Sequence, residues 1–192
     1  MSLNHAPQTV TAETYARIFA VEQSQSYLMV DAFEARMGYA VDRQRLEDAA
    51  RVLSCPFKAA PPNWQHGRVI YAAVRKYLYG VEGPVRCLDI GTAKGFSALC
   101  ARWAIEDAGR EAESFSVDVL PPGARVRRNT VAEVDGLRTL AEIIQPWPEA
   151  QQISFVASTG IDWLAANPGR VHVAFVDGKH SGPVVRSEGL LA

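Results

Sequence analysis

Between Thr11 and about Leu53 apolar residues recur at helical spacing and never with the period of two that marks a strand. Tyr15, Ile18 and Phe19 share one face, and Val30, Phe33 and Met37 share a second. Leu46, Ala49, Ala50 and Leu53 make a third, so three helices are expected, the last capped by Asp42. Such stripes read as packing surface. Residues 1–10 are polar and contain Pro7, which predicts a loose start. Residues 1–60 are therefore read as a helical cap or dimerisation segment. Pro56, Pro61 and Pro62 end that unit and begin the next.

Asn63 suits an N-cap for a helix to about Tyr79, with Ile70, Ala73, Val74, Tyr77 and Leu78 turned inward and Gly80 and Gly83-Pro84 stopping it. From Val85 the pattern changes. VRCLDI is a short apolar run that ends in a glycine turn, Gly91-Thr92-Ala93-Lys94-Gly95. A helix to about Asp107 follows on Phe96, Leu99, Cys100 and Trp103. SFSVDVL (114–120) predicts a second strand, and Val131, Val134, Leu137, Leu140 and Ile144 a helix. ISFVAS (153–158) is a third strand, GIDWLAA (160–166) a short helix and VHVAFVDG (171–178) a fourth strand.

Strands separated by helices imply a parallel sheet built from right-handed crossovers. The short connection before Val85 sets the preceding helix antiparallel to the first strand. That brings Trp64, Gln65 and His66 to the strand's C-terminal end, the edge where ligands bind in open α/β sheets. PVVRSEGLLA (183–192) starts another helix with no strand after it. The fourth strand is expected to leave an open edge that something else covers, or the chain is shorter than the fold to which it belongs.

With 192 residues, 48% hydrophobic and 21% charged, the chain suits one globular domain with an elaboration, and no disordered or fibrous class. A net charge of −1 lacks the basic excess of a nucleic-acid binder, so no nucleic-acid partner is expected. No apolar run approaches the roughly 18 residues of a membrane span. No signal-peptide pattern opens the chain, so no membrane partner is expected either. Cys55, Cys87 and Cys100 form no C-x-x-C pair; Cys87 and Cys100 read as small buried hydrophobes, and a reducing, cytoplasmic setting is the default.

Four strand ends finish in polar residues: Asp89-Ile90-Gly91, Asp118, Ser158-Thr159-Gly160 and Asp177-Gly178. A parallel sheet gathers them at one edge. A carboxylate after the second strand can accept both hydroxyls of a ribose, and Gly91 and Gly95 let backbone approach a ligand. The constellation points to a nucleoside. A dinucleotide fingerprint needs G-x-G-x-x-G, and Ala93 stands where its second glycine would be, which disfavours NAD or FAD.

LDIGTAKG (88–95) resembles motif I of class I S-adenosylmethionine-dependent methyltransferases, and Asp118 matches that family's acidic residue after the second strand. FVDGKH (175–180) resembles the D-G-x-H motif after the fourth strand of the O-methyltransferase-like branch. The resemblance spans roughly residues 63–192. It implies S-adenosyl-L-methionine as cofactor, with Gly91, Thr92 and Gly95 beneath its methionine part and Asp89 orienting the ammonium or the loop. Asp118 would hold the ribose, and Ser158 and Thr159 would flank the adenine. Asp177 would face the methyl-transfer site; in metal-dependent relatives the matching residue is a magnesium ligand, which makes Asp177 the candidate ligand of a divalent cation. His180 is the candidate general base near an acceptor hydroxyl, and His66 with Trp64 a further candidate for lining the pocket. His172 reads as structural. Arg125, Arg127 and Arg128 read as a solvated basic loop, with binding of an acidic acceptor or phosphate as the alternative.

The expected fold is α/β, a Rossmann-like parallel sheet whose first four strands take the order 3-2-1-4 without the family's later strands. It occupies residues 61–192, read as C-terminally truncated, behind the N-terminal helical cap. The expected function is methyl transfer from S-adenosylmethionine to an oxygen of a small-molecule acceptor, in a protein able to form a homodimer through its N-terminal helices. Two alternatives stand: a truncated or degenerate methyltransferase fold that binds cofactor or a partner without turnover, and an NAD(P)-dependent oxidoreductase.

Overall fold

The computed structural model describes residues 11–54, 61–127 and 136–178. Expectations for residues 1–10, Cys55, Arg128, Val131, Val134, His180 and the helix begun at residues 183–192 lie outside the described residues. Strands β1 (Val85–Ile90), β2 (Ala112–Asp118), β3 (Ile153–Ala157) and β4 (Val173–Val176) pair in parallel in the expected order β3-β2-β1-β4. The helices are α1 (Ala12–Gln23), α2 (Leu28–Met37), α3 (Arg43–Leu53), α4 (Gln65–Tyr79), α5 (Phe96–Asp107), α6 (Leu140–Ile144) and α7 (Gly160–Ala166), with a 3₁₀ turn at Pro148–Gln152.

β1 is buried on both faces, as a central parallel strand must be. Val85 and Cys87 join the core formed with α4 and α5, among Val74, Leu99, Trp103 and Ile105. Leu88 and Ile90 point the other way and pack with Val117 of β2 and Trp163 and Leu164 of α7. Strands β1 to β3 step outward in one direction, and the connection through α7 returns the chain to the far side of β1. The winding therefore reverses between β1 and β4, and a crevice opens at the carboxyl ends of the strands there.

The N-terminal helices share the first core: Tyr15 and Phe19 of α1 and Leu46, Ala49, Ala50 and Leu53 of α3 are all buried in it. Asp42 caps α3 as expected, its Oδ1 accepting from the Arg45 N–H at 2.7 Å. In α2 the expected apolar face is only half-buried, and the buried residue is Glu34. It pairs with Arg68 of α4, which is 1% exposed and also donates to Asp31 and to Gln65. An ion pair, rather than an apolar stripe, seats this helix.

Other expectations need correction. Trp64, not Asn63, is the N-cap of α4, without a side-chain cap, because the entry is fixed by burial of Trp64 stacked on Phe19 at 6.0 Å. Leu137 is not helical: it is 39% exposed, and the adjacent Arg138 pairs antiparallel with Arg127. The helix starts only at Leu140, where Thr139 and Glu142 form a capping box. His172 sits just ahead of β4 and is structural as expected: it exchanges two bonds with the Arg86 backbone, N–H to carbonyl at 2.9 Å and Nδ1 from N–H at 3.0 Å. Cys87 and Cys100 are free and buried. Among the described residues no helix is long and apolar enough to cross a membrane.

Candidate functional site

Where β1 ends, the ladder to both neighbours continues for one more residue. Gly91 N–H donates to Val117 O at 2.8 Å on one side, and Asp177 N–H donates to Ile90 O at 2.8 Å on the other. Gly91 has φ +104°, and a Cβ there would lie 2.3 Å from the Asp177 carbonyl oxygen. Only glycine lets β1 and β4 close together while the chain turns. Ala93 follows with φ 45° and Gly95 with φ 85°, and Gly95 N–H closes the turn on Thr92 O at 2.6 Å. Gly95 is then the N-cap of α5.

A buried polar network underlies this turn. Asp89, 4% exposed, accepts from Ser97 Oγ at 2.6 Å and from Ser116 Oγ at 2.5 Å, one hydroxyl on each carboxylate oxygen. Ser116 Oγ lies 2.7 Å from Thr92 Oγ1. Since Ser116 gives its proton to Asp89, Thr92 must donate to Ser116, so the protons run Thr92 to Ser116 to Asp89. Burial pushes the Asp89 carboxyl up to about 6, against the two hydroxyl donors, while the charges of Asp177 and Asp118 add to the rise. Each Asp89 oxygen is thus engaged inside the protein, one by Ser97 of α5 and one by Ser116 of β2.

Beside the turn lies a cleft of about 610 Å³, formed by Gly91, Ala93, Asp118, Val119, Ser158, Thr159, Ile161 and Asp177 with their neighbours at the strand ends. That volume is in the range of small-molecule and cofactor sites. Gly91, Asp118, Ser158, Thr159 and Asp177 thus converge from four strand ends. Asp89, Thr92 and Gly95 do not line this cleft; Asp89 and Thr92 are buried beneath it. Asp118 is already engaged with backbone, Oδ2 accepting from Ala93 N–H at 2.9 Å and Oδ1 from Leu120 N–H at 2.9 Å, which leaves lone pairs on both oxygens. Thr159 caps α7 through Asp162 N–H at 3.0 Å, and Ser158 Oγ donates to Thr159 O at 3.0 Å. The described lining holds two carboxylates and no Lys or Arg.

His66, at the start of α4, stacks on Phe175 of β4 with centroids 5.9 Å apart and meets the edge of Phe96 at 5.2 Å. Burial lowers its pKa, opposed by the charge of Asp177 and by a bond to the Asn63 backbone. The start of α4 therefore reaches the strand-end edge, as its antiparallel course predicts. Among the described residues no group of three or more His, Cys, Asp or Glu is placed to hold a metal ion, so these residues alone do not fit a divalent-cation site at Asp177.

The arginine loop differs from expectation. Arg125 is exposed and bonds Glu142 and Leu137 O, but Arg127 is 4% exposed and is not solvated. Its Nε donates to Ala93 O at 2.8 Å, so it lies against the glycine turn. Neither the bonds of Ser97 and Ser116 to Asp89 nor the contact of Arg127 with the glycine turn was expected. Ser116 had a readable signal, a small hydroxyl between the apolar Phe115 and Val117 of β2; Arg127 had none. Comparison with protein-family models finds no match, and comparison with curated proteins finds none.

Proposed function

We propose that this protein is an S-adenosylmethionine-dependent methyltransferase acting on an oxygen of a small molecule. The observation that carries the reading is the convergence at the cleft: Asp118 and Asp177 reach it from two strand ends beside the Gly91–Gly95 turn. Two carboxylates attract a ligand bearing sulfonium and ammonium charges and repel a pyrophosphate. The Ala93 N–H, which a phosphate at this turn would need, is bonded to Asp118. Both points weigh against the oxidoreductase reading.

When bound, S-adenosylmethionine supplies a methyl group already activated on sulfur, so the protein's work is in-line positioning and removal of the acceptor's proton. Asp118 accepts the ribose hydroxyls on the lone pairs left by its two backbone bonds. Val119 and Ile161 give the adenine apolar walls, and Ser158 and Thr159 flank it. Asp177 faces the reacting end, and His180 takes the proton. The two free cysteines, Cys87 and Cys100, suit a reducing, cytoplasmic compartment.

Equilibrium binding of S-adenosylhomocysteine to wild type and Asp118→Asn tests the assignment. The amide keeps one oxygen for a backbone N–H but loses the charge and an acceptor, so affinity is expected to fall about tenfold or more. Unchanged affinity would remove Asp118 from the ribose. Asp118→Ala is less informative, because it also frees the Ala93 and Leu120 amides.

A further inference from the structure

Ala93 is a non-glycine residue at φ 45°, and it lies in the wall of the cleft. An L-residue stays in that region only where its surroundings over-determine it. Two bonds do so here. The Ala93 N–H donates to Asp118 Oδ2 at 2.9 Å, and its carbonyl accepts from Arg127 Nε at 2.8 Å. The peptide groups on both sides of the strained Cα are thus held, one by a residue at the end of β2 and one by the loop beyond it.

Arg127 is built for this contact. Its backbone is pinned by two bonds to Arg138, at 3.1 and 2.7 Å, and its Nη1 reaches Pro121 O and Ala124 O at 3.4 Å each. It makes no ion pair among the described residues, its Nη2 is buried without a partner, and burial works against its charge. A guanidinium buried at such a cost needs a role beyond filling space, and its shortest bond is to Ala93.

We infer that Arg127 is a positioning residue which, with Asp118, clamps Ala93 in its left-handed conformation and so holds the Gly91–Gly95 turn ready for ligand. What the turn receives rests on the cofactor reading above. Arg127 does not line the cleft; it acts through Ala93. Freed from the clamp, Ala93 relaxes toward negative φ and the turn loses the shape that closes the cleft.

The test uses Arg127→Met, Ala93→Gly and the double variant of the full chain. It measures affinity for S-adenosylhomocysteine and, in the ligand-free protein, hydrogen exchange of a peptide spanning residues 91–96. Arg127→Met is expected to weaken binding about tenfold and to speed exchange in that peptide, since a charge-assisted bond and the restraint on φ are both lost. Glycine holds positive φ unaided, so the double variant should recover to within about threefold of Ala93→Gly alone. Unchanged affinity in Arg127→Met, or a double variant as weak as Arg127→Met, overturns the inference. If wild type binds no S-adenosylhomocysteine the cofactor reading fails, and exchange alone decides the clamp: faster exchange in Arg127→Met sustains it, unchanged exchange overturns it. Should Arg127→Met not fold, Arg127→Lys keeps the charge and the stem without Nε, and the same loss and rescue are expected of it.

Discussion

Asp89 is held from both sides beneath the turn, by Ser97 of α5 and Ser116 of β2, and its carboxyl is pushed up to about 6 mainly by burial. In the unfolded chain an aspartate ionises near 3.9. Between those values the native state keeps a proton that the unfolded state has released, so this group's contribution to stability is fully present below about pH 4 and is lost as pH rises through about 6. Asp89→Asn removes the titration while keeping a hydrogen-bonding side chain of the same shape. In urea denaturation at a series of pH values, wild type should lose on the order of 2 kcal/mol relative to Asp89→Asn between pH 4 and pH 7. Parallel curves would show that Asp89 does not titrate in this range. The same network explains the role of Thr92, whose hydroxyl hands its proton down to Ser116 instead of facing the cleft.

Helices α4 and α5 cross at Gly67, where an added Cβ would lie 2.8 Å from Cys100 Sγ and 2.9 Å from the Phe96 ring. Two effects compete in Gly67→Ala. Helix propensity favours alanine by about 1 kcal/mol, and overpacking a filled core costs about 1–3 kcal/mol. Cys100 and Phe96 are themselves buried in the core that also holds Val85 and Cys87, so neither has open space to move into, and overpacking wins. Gly67→Ala should lower the urea midpoint by an amount equivalent to about 1 kcal/mol with an unchanged slope; a higher midpoint would mean that the helices can part. This crossing matters because the start of α4 sets His66 against Phe175. Elements with a strong period were legible in the sequence: α3, α5, α7 and the four strands follow their apolar patterns to within about two residues at each end. The seating of α2 was not, because apolar periodicity counts Glu34 and Arg68 as solvent-facing when they are buried together. The loop before α6 was not either, since its fold depends on the non-local pairing of Arg127 with Arg138, although the Thr139–Glu142 capping box could have been read locally.

At the scale of the molecule, reversal of the winding between β1 and β4 creates the crevice, and the strand ends fill it with groups far apart in sequence. That convergence was legible: once the sheet is parallel, Gly91, Asp118, Ser158, Thr159 and Asp177 must meet. The Arg127 contact was not, because nothing in a loop sequence tells which backbone carbonyl a buried guanidinium will reach. The resulting cleft presents Asp118 and Asp177 where a dinucleotide site would need to welcome pyrophosphate. Its ligand preference is therefore the central claim, and isothermal titration calorimetry of the full chain with S-adenosylhomocysteine and with NADH in parallel tests it most directly. Saturable heat from S-adenosylhomocysteine with none from NADH is the result predicted; saturable heat from NADH with none from S-adenosylhomocysteine would contradict it.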